Sequence, residues 1–363
     1  MERNYIAGVV FYKRSTSLTG RISGRAVNSC DTEKACYRFE STLMHAFRSI
    51  LLVVTRQHTS DMELQQAFRL ALDNRATLLI ALFDQSLETL HHLQFIPLEK
   101  RLEDHLRQQL AEELEQLKAL AWEQGIEVET LIVPGRPRLA IHKVIKEYHI
   151  DLVVKLADAS GALARKQLTG NDLALLRKCP VPILMMADRE QLPDFNGKVM
   201  VAMDAGNPDS GAHDLNRTLL QYGVYLASQE NAALHLVSVW NVPLGRRSLK
   251  TLSDEELYEL QEITQRRYHN KLQEIMQEVG VKESDDKPPV TVHLLQGNPA
   301  AGIQQLANEL NVDVIVMGTL GRHKEGILVG NTAENIMNSI YCSILAVKPE
   351  GFISPLATEA ASR

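Results

Sequence analysis

Val314-Ile-Val-Met-Gly-Thr-Leu-Gly-Arg-His-Lys-Glu-Gly-Ile-Leu-Val-Gly-Asn-Thr-Ala-Glu334 is the stretch that decides the fold. An unbroken apolar run is what a strand covered on both faces needs. The run meets glycines at 318 and 321, and Gly330-Asn331-Thr332 then opens a helix. Glycines let backbone N–H groups approach an anion closely. A helix start adds unpaired amides and a favourable dipole. Asn331 and Thr332 bring side-chain donors, and Arg322, His323 and Lys324 bring positive charge, although charged loop residues are more often simply solvated.

The neighbouring sequence supplies the rest of an alternating α/β unit. Residues 198–203 (KVMVAM) form an apolar strand that ends at Asp204 and Gly206. Residues 214–228 carry apolar positions at helical spacing (Leu215, Leu219, Tyr222, Leu226). Residues 233–240 read as a second strand and 252–279 as a long polar helix, started by the capping box Ser253-Asp-Glu-Glu256. A strand at 290–295, a helix at 299–310, a strand at 312–317, a helix at 332–339 and a strand at 343–347 complete the series.

The first part of the chain repeats this order. Strands are expected at 49–55, 78–83, 127–133, 152–156 and 181–186, with helices at 98–124, 138–148 and 172–178. His149-Ile-Asp-Leu-Val-Val154 echoes Asn311-Val-Asp-Val-Ile-Val316, and Pro134-Gly-Arg-Pro137 echoes Gln296-Gly-Asn-Pro299. Both pairs share an offset of about 162 residues, which indicates duplication.

Strands alternating with helices imply right-handed crossovers and a mostly parallel sheet. The first and fourth strands of each copy would then be central. Ligands of such sheets bind beyond the carboxyl ends of the strands, where the strand order switches. That geometry points to Met203–Asp204 and to Met317 onward before any motif is considered.

Composition narrows the function. With 363 residues, 45% hydrophobic and 23% charged, the chain can bury two cores. Its net charge of −6 opposes general binding to nucleic acid or acidic membranes. The apolar runs are far shorter than the roughly 20 residues that span a bilayer, so no membrane insertion is expected. No signal peptide is read at the N-terminus. Cys30, Cys36, Cys179 and Cys342 show no metal-ligand spacing, and the last two precede apolar runs as buried thiols do. Reduced cysteines suit a cytoplasmic location.

Several catalytic motifs are missing from the sequence: Walker A, the G-x-G-x-x-G fingerprint, the G-x-S-x-G elbow and H-E-x-x-H. His91-His92 lies in a polar stretch and reads as a pair of solvated histidines rather than metal ligands. No structural metal and no catalytic residues are expected. The apolar stripes of the long helices read as core. Near one sheet end, these two helices would also be able to wall a pocket for an apolar ligand.

The glycine-bearing stretch resembles the universal stress protein family, whose ATP-binding members carry G-x2-G-x9-G-S/T/N at this place. The matching residues are Gly318, Gly321, Gly330 and Asn331, with a spacer of eight residues where the family has nine. Gly330-Asn-Thr-Ala-Glu334, Cys342, Val347-Lys-Pro349 and Leu175-Leu-Arg-Lys-Cys-Pro180 resemble the tandem E-type members. The resemblance implies two tandem open, mostly parallel five-stranded sheets, Rossmann-like and of the adenine nucleotide alpha hydrolase type. They would form an intramolecular pseudo-dimer by pairing their last strands, residues 181–186 with 343–347. It also implies a stress-response role linked to ATP or another adenine nucleotide. Asp204 would bind the adenosine part, Ala202 and Met203 would line the base, and Val239 would add an apolar contact. Met317, Gly318, Gly321, Gly330, Asn331 and Thr332 would serve the phosphates.

The first copy lacks these features. Thr55 replaces the aspartate, Leu156-Ala-Asp-Ala159 replaces the first glycines, and Thr169-Gly-Asn171 only echoes the last. The expected division is therefore an extension at 1–47, poorly ordered or an artefact of a start at Met44, and a first domain with a degenerate loop at 48–188. A linker at 189–197, a second domain with the glycine loop at 198–350 and a tail at 351–363 follow. Expected partners are a small molecule, either an adenine nucleotide or an apolar ligand, together with a protein partner or a homodimer. Turnover, if any, would be that of a slow ATPase. The alternative function is a scaffold or apolar-ligand module without nucleotide.

Overall fold

The structure, a computed structural model, describes residues 47–55, 61–90, 96–157, 168–187, 197–242, 251–284, 288–319, 331–337, 342–352 and 354. In chain order the first half comprises β1 (Ser49–Thr55), α1 (Asp61–Asn74), β2 (Thr77–Asp84), α2 (Gln85–Leu90), α3 (Ile96–Glu123), β3 (Val128–Pro134), α4 (Pro137–Glu147), β4 (Leu152–Leu156), α5 (Gly170–Lys178) and β5 (Ile183–Met186). The second half comprises β6 (Lys198–Ala202), α6 (Ser210–Glu230), β7 (Ala233–Trp240), α7 (Asp254–Val279), β8 (Val290–Gln296), α8 (Pro299–Leu310), β9 (Val314–Gly318), α9 (Asn331–Met337) and β10 (Ser343–Val347).

The strands form one ten-stranded sheet in the order β3-β2-β1-β4-β5-β10-β9-β6-β7-β8. Each half is thus an open five-stranded parallel sheet, with its switch point between its first and fourth strands. Between the described strands the one antiparallel pairing joins β5 to β10, with Leu345 opposite Leu184. This is the expected end-to-end pairing of the two copies, and it covers two edges that would otherwise be exposed.

Alternation along the strands sends successive side chains to opposite faces. Ile50, Leu52 and Val54 pack with α1, α3, α6 and α7, whereas Leu51 and Val53 pack on the face covered by α4, α5, α8 and α9. Both apolar layers run through both halves. Phe47 belongs to the core: it is 2% exposed and stacks on Tyr222 of the second half at 5.4 Å.

Local chemistry sets the helix ends. Ser253 and Glu256 form the capping box of α7, and Gly280 ends that helix at φ 78°. Asn298 caps α8, whose first residue is Pro299. β5 begins two residues later than expected, because Pro182 has no N–H to donate to a ladder. β9 starts at Val314, two residues later than expected, and Asp313 just before it accepts from Lys198 N at 2.8 Å through its carboxylate. The sequence reading did not delimit α1 or α2. His91-His92, Cys30, Cys36, Gly321 and Gly330 lie outside the described residues.

Candidate functional site

The second-half site is built where β6 and β9 end side by side, with Ala202 opposite Met317. Beyond Ala202 the chain keeps pairing for one more residue, Met203 N donating to Val237 O at 2.9 Å. The next peptide is then held by a side chain. Asn216 of α6 accepts from Asp204 N at 3.2 Å and donates to Asp204 O at 3.0 Å. Asn216 is itself buried, so the Asp204 backbone is fixed while its side chain stays exposed. Ala205 N reaches Ser238 Oγ at 3.4 Å, which continues the turn across β7.

Two glycines leave room here. A Cβ on Gly206 would lie 1.9 Å from the Tyr268 ring, so only glycine allows this residue of α7 to close over the turn. A Cβ on Gly318 would lie 2.9 Å from Leu215 Cδ2 of α6. Ala202, Val239 and Met317 share the face covered by α8 and α9, and each is at least nine-tenths buried. Met203 packs on the opposite face with Ala205, so what it offers the shared face is main chain rather than side chain. Asn331 and Thr332 begin α9, and their side chains lie outside the described residues.

The first half is different at the equivalent point. Lys155 lies opposite Val53 as Met317 lies opposite Ala202, which puts Thr55 at the place of Asp204. Lys155 Nζ pairs with Asp172 Oδ1 at 2.8 Å and donates to Leu156 O at 2.7 Å. Thr169 Oγ1 adds a bond to Asp172 Oδ2 at 2.8 Å. By burial pattern Asp172, Leu175 and Leu176 of α5 match Ala333, Ile336 and Met337 of α9. A buried ion pair therefore occupies the place of Met317 and Ala333. Sequence reasoning missed it, although a lysine inside Leu152-Val-Val-Lys-Leu156 was the available signal.

An apolar cavity of about 60 Å³ lies at the seam between the halves, under α1 and α6, bordered by Leu70, Val154, Leu184, Tyr225 and Leu226. It does not lie between the long helices α3 and α7. For comparison, a cavity of roughly 150 Å³ holds a benzene. Among the described residues no group of three or more His, Cys, Asp or Glu is placed to hold a metal ion. No described helix is long and apolar enough to cross a membrane.

The sequence pattern of the universal stress protein family matches residues 46–186 and again 196–348. The chain belongs to the universal stress protein family. It is a tandem member of the E type. It is 32% identical over 238 residues to universal stress protein E of Photorhabdus laumondii, covering 64% of this chain and 73% of that one. It is 26% identical over 321 residues to the universal stress protein E homolog of Haemophilus influenzae, covering 84% and 98%. Among solved structures, a functionally unknown protein from Pseudomonas aeruginosa PAO1 matches with a TM-score of 0.64 at 25% identity, covering 88% of this chain and 99% of that one. A universal stress protein from Archaeoglobus fulgidus shares the fold, with a TM-score of 0.54 at 16% identity over 83% and 98%. Membership supports a stress-response role.

Proposed function

We propose that this tandem universal stress protein acts in the cytoplasmic stress response by binding ATP or another adenine nucleotide in its second half alone. The observation that carries the reading is the contrast between the two switch points. In the second half, Ala202, Val239 and Met317 form an apolar wall beside Asp204, whose backbone is pinned by Asn216. In the first half, Lys155 and Asp172 fill the corresponding place with their own charges. An adenine would lie against the wall and the main chain of Met203, and the Asp204 carboxylate would accept from ribose hydroxyls. The phosphates would meet Met317, Gly318, Gly321, Gly330, Asn331 and Thr332. No acid–base pair is proposed for hydrolysis, so the nucleotide acts by occupancy: binding favours one conformation of the chain over another.

Calorimetry with ATP on the full chain tests this reading. Binding is expected in the micromolar to low millimolar range, weakened at least tenfold by Asp204→Ala. No heat at millimolar ATP, with no nucleotide copurifying, overturns it. The alternative, an apolar-ligand module, would need the seam beneath α1 and α6 to open, since its cavity of about 60 Å³ is smaller than a benzene requires. Native mass spectrometry that finds an apolar molecule and no nucleotide would favour it.

A further inference from the structure

The last turn of α5, in the half that has lost its own site, is fastened to the second half at three consecutive residues. Lys348 Nζ, just past β10, donates to Leu176 O. Glu334 of α9 pairs with Arg177. Ser354 Oγ donates to Lys178 O at 2.6 Å. Two of these contacts satisfy carbonyls that a helix end leaves without intrahelical partners. The cation at Leu176 is also favoured by the negative end of the helix dipole.

The same residues also meet the described residues that flank the proposed nucleotide segment. Thr319 directly follows Gly318 and is fully buried. Its N–H donates to Val347 O at 3.3 Å, and its hydroxyl accepts from Lys348 Nζ, the group that also reaches Leu176. Lys348 is 8% exposed and lies 5.5 Å from the Phe352 ring centre, so this ammonium has little freedom to move. On the other flank, Glu334 stands one turn into α9 and reaches back to Arg177. The chain therefore leaves β9 and enters α9 from points that are both tied to α5. Holding these flanking residues in place preorganises what a nucleotide would meet.

We propose that Arg177 and the Leu176 carbonyl are positioning groups for the second-half nucleotide site, acting through Glu334 and through Lys348 with Thr319. The proposal rests on the nucleotide reading above and deepens it: the first half, without a site of its own, sets the affinity of the second. None of these groups needs to touch the nucleotide.

The test uses the full chain with Arg177→Glu, Glu334→Arg, the swapped double variant and Lys348→Met. ATP affinity is read by calorimetry. Amide hydrogen exchange over residues 319–337 is read without nucleotide. Each single charge reversal is expected to weaken ATP binding three- to tenfold and to speed exchange, and the swap to restore both within twofold. Arg177 and Glu334 are half-exposed, so these variants remain informative if Lys348→Met fails to fold. Single variants that keep both the affinity and the exchange of the unsubstituted chain overturn the proposal. A swap that fails to restore either readout also overturns it. If the unsubstituted chain takes up no ATP, the nucleotide reading fails. The clamp is then judged on exchange alone: supported if the single variants exchange faster and the swap reverses this, overturned if they do not.

Discussion

His235 Nδ1 and His293 Nε2 lie 3.2 Å apart on one face of β7 and β8, at positions where the first half carries Leu79 and Leu131. His235 is 8% exposed, and its Nε2 is buried without a hydrogen-bond partner among the described residues. Two imidazoles thus stand in a layer built for leucine.

This pair is expected to make the second half acid-labile. The His235 pKa is pushed down to about 4 by burial first, then by His293 and by Lys198. That of His293 is lowered by burial, with Glu283 opposing. A histidine whose folded pKa lies below its unfolded value of about 6.5 gives full stability above pH 6.5, lost as pH falls toward 4. For His235 the loss at the acid end reaches about 3 kcal/mol. Thermal denaturation from pH 7.5 to 4.5 is expected to show a clearly smaller drop in Tm for His235→Leu/His293→Leu than for the unsubstituted chain. Parallel Tm curves would contradict this account.

Removing one partner of the Lys155–Asp172 pair is expected to be costly. Their side chains are 4% and 0% exposed and 2.8 Å apart. Asp172→Ala removes the carboxylate beside a buried ammonium, at about 3–5 kcal/mol. Lys155→Met/Asp172→Ala installs the residue types of Met317 and Ala333 and is expected to recover most of that loss. Urea denaturation measures both, and losses that simply add would show that the pair is not coupled.

Gly318→Ala separates stability from binding. The atom that a new Cβ meets, at 2.9 Å, is the tip of Leu215, a flexible side chain. A change in stability below about 1 kcal/mol is expected, well under that of a rigid overpacked site. ATP affinity is expected to fall at least tenfold, because the side chain stands where main chain must approach an anion. Unchanged affinity would remove Gly318 from the phosphate contacts.

Cys179 is expected to be inert. Burial pushes its thiol up to about 11, and the residue is fully buried. Alkylation at pH 8 depends on the thiolate. Native protein is expected to leave Cys179 unlabelled, as read by peptide mass spectrometry, and denatured protein to label it. Rapid native labelling would show that the end of α5 opens readily.

Much of the fold was legible because it rests on local patterns. Apolar runs such as Val314-Ile-Val-Met mark strands buried on both faces, and Ser253 with Glu256 marks a helix start. The sequence does not delimit α1 because two of its four buried apolar positions among the described residues, Ala67 and Ala71, are alanines that give little hydrophobic signal. α2 is six residues long, less than two turns, and shows no period. The switch point at the ends of β6 and β9 was readable because it follows from strand order alone.

By itself the sequence determined the duplication, the alternating α/β units and the half that keeps the glycines, since each is written in neighbouring residues or in one constant offset. Tertiary structure decided what becomes of residues with distant partners. Lys155 meets Asp172, His235 meets His293 across 58 residues, and Lys348 meets Leu176 across 172. A lone lysine or histidine in an apolar run does not reveal its partner. Burial in a medium that penalises unpaired charge requires one, and only the folded chain brings it within reach.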